Sequence, residues 1–317
     1  MATLPPASDP TVAILLCTYQ GETFLARQLD SIADQSHPNW TLYVADDGST
    51  DRTRAILEAY RAQWKAKWGA DRLHLMDGPR RGFAANFLTL LCQDTVRADY
   101  YAYCDQDDFW QSYKLTQALR FISTLPAEKP ALYAARTELI DEADATLGLS
   151  PCFTRPPAFA NALVQNIGGG NTMVFNDSAR RLLKSAGVVD VSAHDWWTYL
   201  VVSGGGGAVL YDPQASVQYR QHAKNQVGTN RGFAARFTRA RLLLGGDFKE
   251  WNTRNLAALQ TVREQLTPEN QNSLDTFAAV RSDSLFTRLA ALRRSGVYRQ
   301  TLGGNLGLFV AACGGKL

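Results

Sequence analysis

The residues best suited to chemistry form an acidic run at positions 105–110, Asp-Gln-Asp-Asp-Phe-Trp, directly after the apolar segment 100–104. Two carboxylates two residues apart at the end of a strand can converge on a hard divalent cation, whose other positions go to water and phosphate oxygens. Enzymes use such an ion to bind a nucleoside diphosphate and to stabilise it as it leaves. A solvated acidic turn is the alternative interpretation.

Two other motifs place carboxylates where chemistry is possible. Asp46 and Asp47 follow a strand-like apolar segment, and Asp195 stands within a His-Asp-Trp-Trp sequence. The alternative for Asp46 and Asp47 is an Asx turn with Gly48 that caps the next helix. The alternative for Asp195 is the N-cap of a helix over residues 196–202.

Strand-like and helix-like segments alternate along the first 125 residues. Apolar runs of strand length occur at residues 12–16, 40–45, 73–76 and 100–104. Apolar residues at helical spacing predict helices at residues 21–35, from about 50 to 68, 83–98 and 111–124. This alternation is typical of an α/β protein with a doubly wound, mostly parallel sheet flanked by helices, whose ligands bind beyond the carboxyl ends of the strands. The acidic motifs lie at such ends.

The rest of the chain has two regions of different character. Periodicity is weak from residue 131 to residue 212, where two glycine runs mark tight turns, and the pattern beyond residue 231 is helical. We therefore expect a loose leader at residues 1–10, a main domain at 11–230 with a nucleotide-binding half (about 11–125) and an acceptor half (about 126–230), and a basic helical extension at 231–317.

Composition places the chain among globular proteins. Of 317 residues, 45% are hydrophobic and 20% charged, and no segment approaches the ~18 consecutive apolar residues of a membrane span. The Pro-rich residues 1–10 lack the basic and apolar parts of a signal peptide, so we expect a cytoplasmic protein. Five cysteines without a CxxC pair predict reduced thiols and no structural zinc.

The formal net charge of +3 is unevenly distributed. Residues 231–317 hold 13 Lys and Arg against 6 Asp and Glu, so the C-terminal extension carries the basic excess and should face an anionic partner. A helix near residues 236–244 could place arginines at the lipid headgroups and apolar side chains below them, as a peripheral membrane contact. The alternative is that the same apolar residues pack on the main domain. We expect no nucleic-acid partner.

Three motifs in this order and spacing, at residues 17–22, 46–51 and 105–108, resemble glycosyltransferase family 2, the inverting enzymes of GT-A fold. The resemblance covers roughly residues 11–230. Within that family, the sequences at 105–110, 194–197 and 219–222 are most similar to bacterial rhamnosyltransferases of surface-polysaccharide assembly.

The resemblance implies a role for each motif in binding the donor. Asp47 would accept a hydrogen bond from N3–H of a uracil or thymine ring. Thr18 and Tyr19 would line the base and ribose, although Tyr19 could equally be an ordinary aromatic residue at a strand end. Arg81 would approach the base or phosphates, or be an exposed loop arginine. The candidate nucleotide- and donor-binding residues are Thr18, Tyr19, Glu22, Asp47, Arg81, Asp105 and Gly170.

The resemblance also implies a metal site. Asp107 would coordinate Mn²⁺ or Mg²⁺ directly, Asp105 would bind the ion, the ribose or a metal-bound water, and Asp108 would support them. His222 resembles a third ligand, and a nitrogen ligand favours manganese over calcium. A histidine hydrogen-bonded within a loop is the alternative.

Asp195 is the candidate catalytic base. Direct displacement at an anomeric carbon needs one carboxylate to take the proton of the acceptor hydroxyl, opposite the leaving diphosphate. Trp196 and Trp197 would stack on the acceptor sugar and provide a partly dry setting that raises the basicity of the carboxylate. Gly170 and Asn171 occupy the position where the backbone of the family approaches the donor sugar.

These features predict an inverting, metal-dependent transferase that uses a nucleoside-diphosphate sugar, with dTDP-L-rhamnose as donor and a lipid-linked glycan of O-antigen or capsule type as acceptor. Gln20, in place of the usual Asn, and Asn171, in place of a small residue, leave the sugar open. A UDP-hexose donor is the first alternative. A nucleotidyltransferase would need a basic phosphate-binding loop near the first strand, which residues 17–22 lack. A non-catalytic carbohydrate-binding or scaffold protein derived from the fold is the alternative outside enzymes.

Overall fold

The computed structural model describes residues 9–222 and 247–317 and has two β-sheets. The strands are β1 Val12–Thr18, β2 Trp40–Asp46, β3 Leu73–Asp77, β4 Tyr100–Cys104, β5 Phe109–Trp110, β6 Ala131–Ala135, β7 Glu138–Ile140, β8 Thr146–Leu149, β9 Val174–Asn176, β10 Ala208–Asp212 and β11 Val217–Arg220. The main sheet has the order β10-β6-β9-β4-β1-β2-β3. β9 runs antiparallel to its two neighbours, and the other adjacent pairs are parallel.

The smaller sheet has the order β5-β11-β7-β8 and joins two distant parts of the chain. β5 and β11 are antiparallel, with Trp110 opposite Val217 and Phe109 opposite Gln218. Because paired antiparallel strands run in opposite directions, the residues just before β5 lie beside those just after β11. This pairing brings the acidic run next to residues 220–222.

Helices flank the main sheet and continue through the C-terminal extension. They are α1 Leu25–Ala33, α2 Thr53–Trp68, α3 Phe83–Cys92, α4 Lys114–Ile122, α5 Phe159–Ala162, α6 Asp177–Ala186, α7 His194–Gly204, α8 Asp247–Thr261, α9 Pro268–Ala278, α10 Leu285–Arg294 and α11 Leu302–Cys313. Within the two described ranges, every helix is too short or too polar to cross a bilayer.

The main sheet is covered on both faces, which explains the continuous apolar runs of its strands. Alternate residues of β1 enter two separate clusters: Leu15 packs with residues of α3, α6 and α7, and Ile14 packs with residues of α1, α2 and α4. Both side chains have no exposed surface. A doubly wound α/β sheet, the fold class expected from the sequence, is confirmed.

The predicted strands β1 to β4 are confirmed, while the helices are shorter than predicted, most of all at the start of α1 and the end of α3. α1 begins at Leu25 and not at Gly21, because the N–H groups of Gly21 and Glu22 donate to the side chains of Thr53 and Asp51. α3 ends at Cys92 and not near residue 98, because Gln93 leaves the helical conformation with ψ of 134°.

The described part of the basic extension packs on the main domain. Phe248, Leu259, Leu266 and Phe277 belong to the same apolar cluster as α7 and one face of the sheet. The prediction that this part of the chain is helical is confirmed. The packing alternative for the apolar residues near 236–244 concerns residues that the structure does not describe. The predicted membrane helix near residues 236–244 lies outside the described residues.

Candidate functional site

The pairing of β5 with β11 places the acidic run against Arg220 and His222. The Arg220 N–H donates to Oδ1 of Asp108 at 3.3 Å, and the Arg220 Nε–H donates to the carbonyl oxygen of Asp107 at 3.0 Å. Nε2 of His222 lies 2.7 Å from Oδ2 of Asp107 and shares a hydrogen bond with it. Asp107 and His222 are 115 residues apart in sequence. Their contact places a carboxylate oxygen next to an imidazole nitrogen, two atoms that can both bind a metal ion.

Arg220 is the residue that fixes this arrangement, and no role was predicted for it from the sequence. Its side chain is fully buried, and its guanidinium forms an ion pair with Asp144 at 2.6 Å and donates to the carbonyl oxygen of Asp141 at 2.9 Å. The same guanidinium lies 4.6 Å from the ring centre of Phe24, which stacks on His222. A buried cation needs such partners, because desolvation of an unpaired charge is costly. Arg220 is a positioning residue for the acidic run.

The Asp108 side chain is buried beneath the acidic run and is hydrogen-bonded within the protein. Its side chain is 1% exposed, and its Oδ2 accepts a hydrogen bond from the Asn171 amide at 2.5 Å. Burial raises the pKa of Asp108, with further contributions from Asp107 and Asp105. The supporting role expected of Asp108 agrees with these contacts, and Asn171 acquires a structural role that the sequence did not reveal.

Asp105 has few stabilising contacts. Among residues 9–222 and 247–317, no group donates a hydrogen bond to its side chain. Burial, together with the negative charges of Asp107 and Asp195, raises the pKa of Asp105 to about 8. A cation or a hydrogen-bond donor of a ligand would therefore be favoured at this carboxylate.

The fit of a divalent cation to these residues is partial. No set of three or more His, Cys, Asp or Glu side chains is arranged to hold a metal in the two described ranges. Of the expected trio, Asp107 and His222 are in hydrogen-bond contact, and Asp105 remains a predicted third ligand. Asp107 and His222 still offer an oxygen and a nitrogen suited to Mn²⁺, with phosphate and water oxygens left to complete the coordination.

Asp195 lies in the first turn of α7, beside the short 3-10 helix Gly170–Thr172. Its Oδ2 accepts a hydrogen bond from the Gly170 N–H at 2.9 Å, and its Oδ1 accepts one from the Trp196 N–H at 2.6 Å. The N-cap position is Ala193, so the N-cap interpretation of Asp195 is wrong. Burial raises the pKa of Asp195 although these hydrogen bonds oppose the shift, which makes the carboxylate a stronger base.

The two tryptophans expected at the acceptor are part of the core. Trp197 has no exposed surface, and Trp196 is 7% exposed with its indole N–H donating to the carbonyl oxygen of Ala162. Neither indole face is open to a sugar. The acceptor-binding prediction for Trp196 and Trp197 is therefore wrong, because α7 is buried along its length and not amphipathic. The tryptophans contribute only the dry surroundings of Asp195.

His194 is enclosed between aromatic rings beside Gly170. It is 4% exposed, stacks on Phe87 at 3.8 Å between ring centres, and meets the edge of Tyr103 at 4.7 Å. In the described part of the chain neither ring nitrogen has a hydrogen-bond partner, and burial lowers the pKa of His194 to about 3. A Cβ on Gly170 would lie 2.6 Å from Nε2 of His194, so this position needs glycine. The imidazole is a neutral packing surface behind Asp195.

At the ends of β1 and β2, Thr18 and Asp46 bind each other. The Thr18 hydroxyl donates to Oδ1 of Asp46 at 2.9 Å, and the Ser49 N–H donates to Oδ2 of Asp46 at 3.1 Å. Thr18 and Asp46 are each 1% exposed. Their side chains therefore hold the turn after β2, which agrees with the turn interpretation of Asp46 and removes Thr18 from the surface that could line a base.

Asp47 anchors the loop that contains Arg81. Its Oδ1 accepts a hydrogen bond from the Arg80 N–H at 2.6 Å, and its Oδ2 accepts one from the Gly82 N–H at 2.9 Å. Arg80 and Gly82 both adopt positive φ, 56° and 86°. Each carboxylate oxygen retains a lone pair for a further donor, so the half-buried Asp47 can still bind an N–H of a base. Arg81 is exposed beside it.

Tyr19 is available to a ligand, whereas Glu22 is engaged within the protein. The Tyr19 side chain is 59% exposed, and the Gln106 amide bonds both its backbone N–H and its carbonyl oxygen, at 2.9 and 3.0 Å. The Glu22 carboxylate accepts hydrogen bonds from the Arg52 N–H and Nε–H at 3.1 and 3.2 Å. The donor-binding prediction for Glu22 finds no support in these contacts, because the carboxylate joins the loop after β1 to the start of α2.

Together these contacts place Tyr19, Asp47 and Arg81 on one side of the site, and Asp105, Asp107 and His222 at its centre. Asp195 and Gly170 approach from the part of the chain after residue 125, close enough for the charge of Asp195 to raise the pKa of Asp105. Across the carboxyl ends of the parallel strands, the exposed ring of Tyr19 comes first, the candidate cation site lies next to it, and the candidate base Asp195 follows.

Sequence comparison identifies the family that shares these motifs. The family model for glycosyl transferase family 2 matches residues 13–182, more than half of the chain. The dTDP-rhamnosyl transferase RfbG of Shigella flexneri is 25% identical over 243 residues, which are 72% of this chain and 78% of that protein.

Two solved structures have the same fold. A mannosyltransferase from Pyrobaculum calidifontis in complex with GDP-Man and Mn²⁺ superposes with a TM-score of 0.53 at 20% identity, covering 97% of this chain and 81% of that chain. S. aureus TarS 1-349 in complex with UDP-GlcNAc superposes with a TM-score of 0.54 at 15% identity, covering 91% and 93%. The architecture is therefore the GT-A fold.

Proposed function

Because this chain belongs to glycosyltransferase family 2, we propose that it is an inverting transferase that moves a sugar from a nucleoside diphosphate to an acceptor hydroxyl. The observation that carries this proposal is the pair formed by Asp195 and Gly170 at 2.9 Å, set against the Asp105–Asp108 run. This arrangement sets a carboxylate of raised pKa against a candidate cation site, as a single displacement requires.

In the proposed reaction, Asp195 takes the proton of the acceptor hydroxyl as its oxygen forms a bond to the anomeric carbon. The bond from that carbon to the phosphate oxygen breaks, and the nucleoside diphosphate leaves with the electron pair. The raised pKa of Asp195 favours proton transfer to it, and the buried aromatic residues behind it exclude water from that side. Inversion follows because the base and the leaving group act on opposite faces of the sugar.

Binding of the diphosphate falls to the centre of the site. A divalent cation held by Asp107 and His222 would neutralise the diphosphate as negative charge develops on it. Asp105 would bind the same ion, a metal-bound water or the ribose. Tyr19, Asp47 and Arg81 would contact the base and ribose, and the tight backbone at Gly170 would approach the sugar. We expect Mn²⁺ or Mg²⁺ as the cofactor.

For the substrates we propose dTDP-L-rhamnose as donor and a lipid-linked glycan of O-antigen or capsule type as acceptor. The similarity to the dTDP-rhamnosyl transferase RfbG supports the donor. An acceptor on a lipid carrier agrees with the basic excess of the C-terminal extension, because such carriers bear phosphates at a membrane.

The test is donor binding and donor hydrolysis by the purified full chain. Thermal unfolding would be measured with dTDP-L-rhamnose, UDP-glucose and UDP-GlcNAc, each with and without MnCl₂, and release of the nucleoside diphosphate would be followed in parallel. We expect the largest stabilisation and release with dTDP-L-rhamnose plus manganese. Preference for a UDP sugar would refute the rhamnose donor, and absence of both binding and release would favour the non-catalytic alternative.

A matched pair of variants tests the metal ligands in the same assay. Asp107→Ala removes one of the two adjacent donors, so manganese should no longer improve donor binding. Asp94→Ala removes an exposed carboxylate that pairs with Lys184 on the surface and should leave manganese dependence unchanged. Unchanged manganese dependence in Asp107→Ala would show that this acidic run is a surface turn.

A further inference from the structure

Helix α11 exposes an apolar stripe to solvent. Its members, here called the C-terminal apolar stripe, are Leu302, Leu306, Phe309 and Val310, which are 91%, 65%, 49% and 46% exposed. Their spacing of four, three and one residues places them on one face of the helix. The opposite face is fixed in the protein, since Leu308, Ala311 and Ala312 are buried in the main apolar cluster. The stripe is thus presented on a helix with a defined orientation.

The chain from residue 284 to residue 317, which includes the stripe, has charged side chains of one sign. Residues 284–317 contain four arginines and one lysine but no aspartate or glutamate. Arg293 and Arg294 are exposed at the end of α10, seven residues before α11, and Lys316 is exposed just beyond it. Cations therefore stand near both ends of an exposed apolar surface. That combination matches a bilayer with anionic headgroups above an apolar interior.

We propose that the C-terminal apolar stripe docks the protein on an anionic lipid membrane. The apolar side chains would enter the boundary between headgroups and acyl chains, and Arg293, Arg294 and Lys316 would bind the headgroups. A second copy of this chain is a poorer partner for the same surface. In a two-fold dimer the C-terminal apolar stripe of one copy would meet the same stripe of the other. The flanking cations would then face each other, and residues 284–317 contain no acidic residue to pair with them.

The contacts behind α11 connect this surface to the candidate base. The Arg299 guanidinium donates to the carbonyl oxygen of Val164 at 3.0 Å, and the Gln300 N–H donates to the Gln165 side chain at 2.8 Å. The next residue, Asn166, lies close enough to Asp195 for its side chain to lower the pKa of that carboxyl. The segment that orients the stripe is therefore continuous with the segment that holds the base.

The inference goes beyond the proposed sugar transfer and is tested without measuring activity. The full chain would be sedimented with vesicles of phosphatidylcholine containing phosphatidylglycerol, and with vesicles of phosphatidylcholine alone, at low and high ionic strength. We expect binding to the anionic vesicles that weakens as salt screens the headgroup attraction. The triple variant Leu302→Gln, Leu306→Gln, Phe309→Gln should bind at least about tenfold more weakly.

Two further variants separate the causes. Leu149→Gln combined with Val188→Gln replaces apolar side chains that are 48% and 43% exposed elsewhere and should bind like the wild type. Arg293→Glu combined with Arg294→Glu leaves the stripe intact but should abolish the preference for phosphatidylglycerol. Donor-induced thermal shifts would also be measured on every variant. A loss of vesicle binding can then be distinguished from a loss of donor binding.

Three outcomes would overturn the proposal. The intact protein could fail to bind anionic vesicles at low ionic strength, or the triple variant could bind as tightly as the wild type. In the third, the triple variant converts a dimer to a monomer in analytical ultracentrifugation, which would assign the stripe to a second copy of the chain.

Discussion

Gly170 and Asp195 are joined by a hydrogen bond of 2.9 Å that connects a short 3-10 helix to the first turn of α7. The bond occupies one carboxylate oxygen, and the Trp196 N–H occupies the other. Both oxygens are therefore held by backbone donors, which fixes the plane of the carboxylate. The candidate base has a defined orientation before any substrate binds.

We expect Asp195→Asn to bind the donor and to lose about 10²- to 10⁴-fold in kcat, because the amide cannot take a proton. The amide also offers one acceptor to two backbone donors, so a modest loss of thermal stability should accompany the change. Asp190→Asn, an exposed carboxylate five residues earlier in the chain, is the control. Transfer and donor binding would be measured on both variants, and near wild-type turnover by Asp195→Asn would assign Asp195 a structural role only.

Gly170→Ala should destabilise the protein by about 1–3 kcal/mol, because the new Cβ would lie 2.6 Å from Nε2 of a histidine that cannot move freely. His194→Ala creates space at that point. The double variant Gly170→Ala, His194→Ala should therefore be less destabilised than the sum of the two single variants. Chemical denaturation of all three gives the coupling energy, and strict additivity would contradict the contact.

The lowered pKa of His194 predicts a loss of stability on acidification. The unfolded chain binds a proton at this residue with a pKa near 6.5, whereas the folded protein does so only near 3. Stability therefore falls as pH drops through the unfolded value, by about 2 kcal/mol between pH 7 and pH 5 for this group. His194→Phe, which retains the ring stack on Phe87, should remove that component from the pH dependence of the free energy of unfolding.

His74→Phe is the control for this pH dependence, because His74 also stacks on an aromatic ring, that of Tyr43, but is only half-buried. The comparison uses the difference between each variant and the wild type at pH 7 and pH 5, so that carboxylates common to all three proteins cancel. An unchanged pH dependence in His194→Phe would show that the imidazole is hydrated in solution.

Arg220→Lys should weaken metal-dependent donor binding without removing any proposed ligand. A lysine keeps the charge but cannot bond the carbonyl oxygens of Asp107 and Asp141 and the Asp144 carboxylate together. We expect about a tenfold increase in the manganese concentration needed for half-maximal donor binding, with kcat at saturating metal little changed. Arg27→Lys, which changes an exposed partner of the same Asp144, should leave the manganese requirement as it is.

The fold of residues 11–125 was predictable because its signals are local. Buried parallel strands give continuous apolar runs, and helices covering them give a 3.6-residue period, so β1 to β4 and the acidic strand ends could be recognised from neighbouring residues alone. The sequence of α7 gave only a weak indication of a helix. Its residues from Trp196 to Gly204 are all buried, and a helix without a polar face has no amphipathic period.

The roles of individual side chains depended on contacts over long sequence distances. Asp47 binds backbone groups 33 and 35 residues away, and Asp108 accepts a hydrogen bond from the Arg220 N–H 112 residues away. The residue types around Asp47 and Asp195 identified the motifs correctly, but not which atoms remain available to a ligand. For the same reason Trp196 and Trp197 resembled a sugar-stacking surface, since the sequence does not show which side of a helix the core covers.

The antiparallel strand β9 also constrains the order in which the chain can fold. It pairs with β4 on one side and with β6 on the other, so the main sheet is not continuous until residues 174–176 have been made. During synthesis, β1 to β4 can pair among themselves, but β4 then presents a free edge over more than 60 further residues. An unpaired edge strand invites association between chains. A nascent or truncated chain that ends before β9 should therefore aggregate, and the two halves cannot be separated as independently folding units.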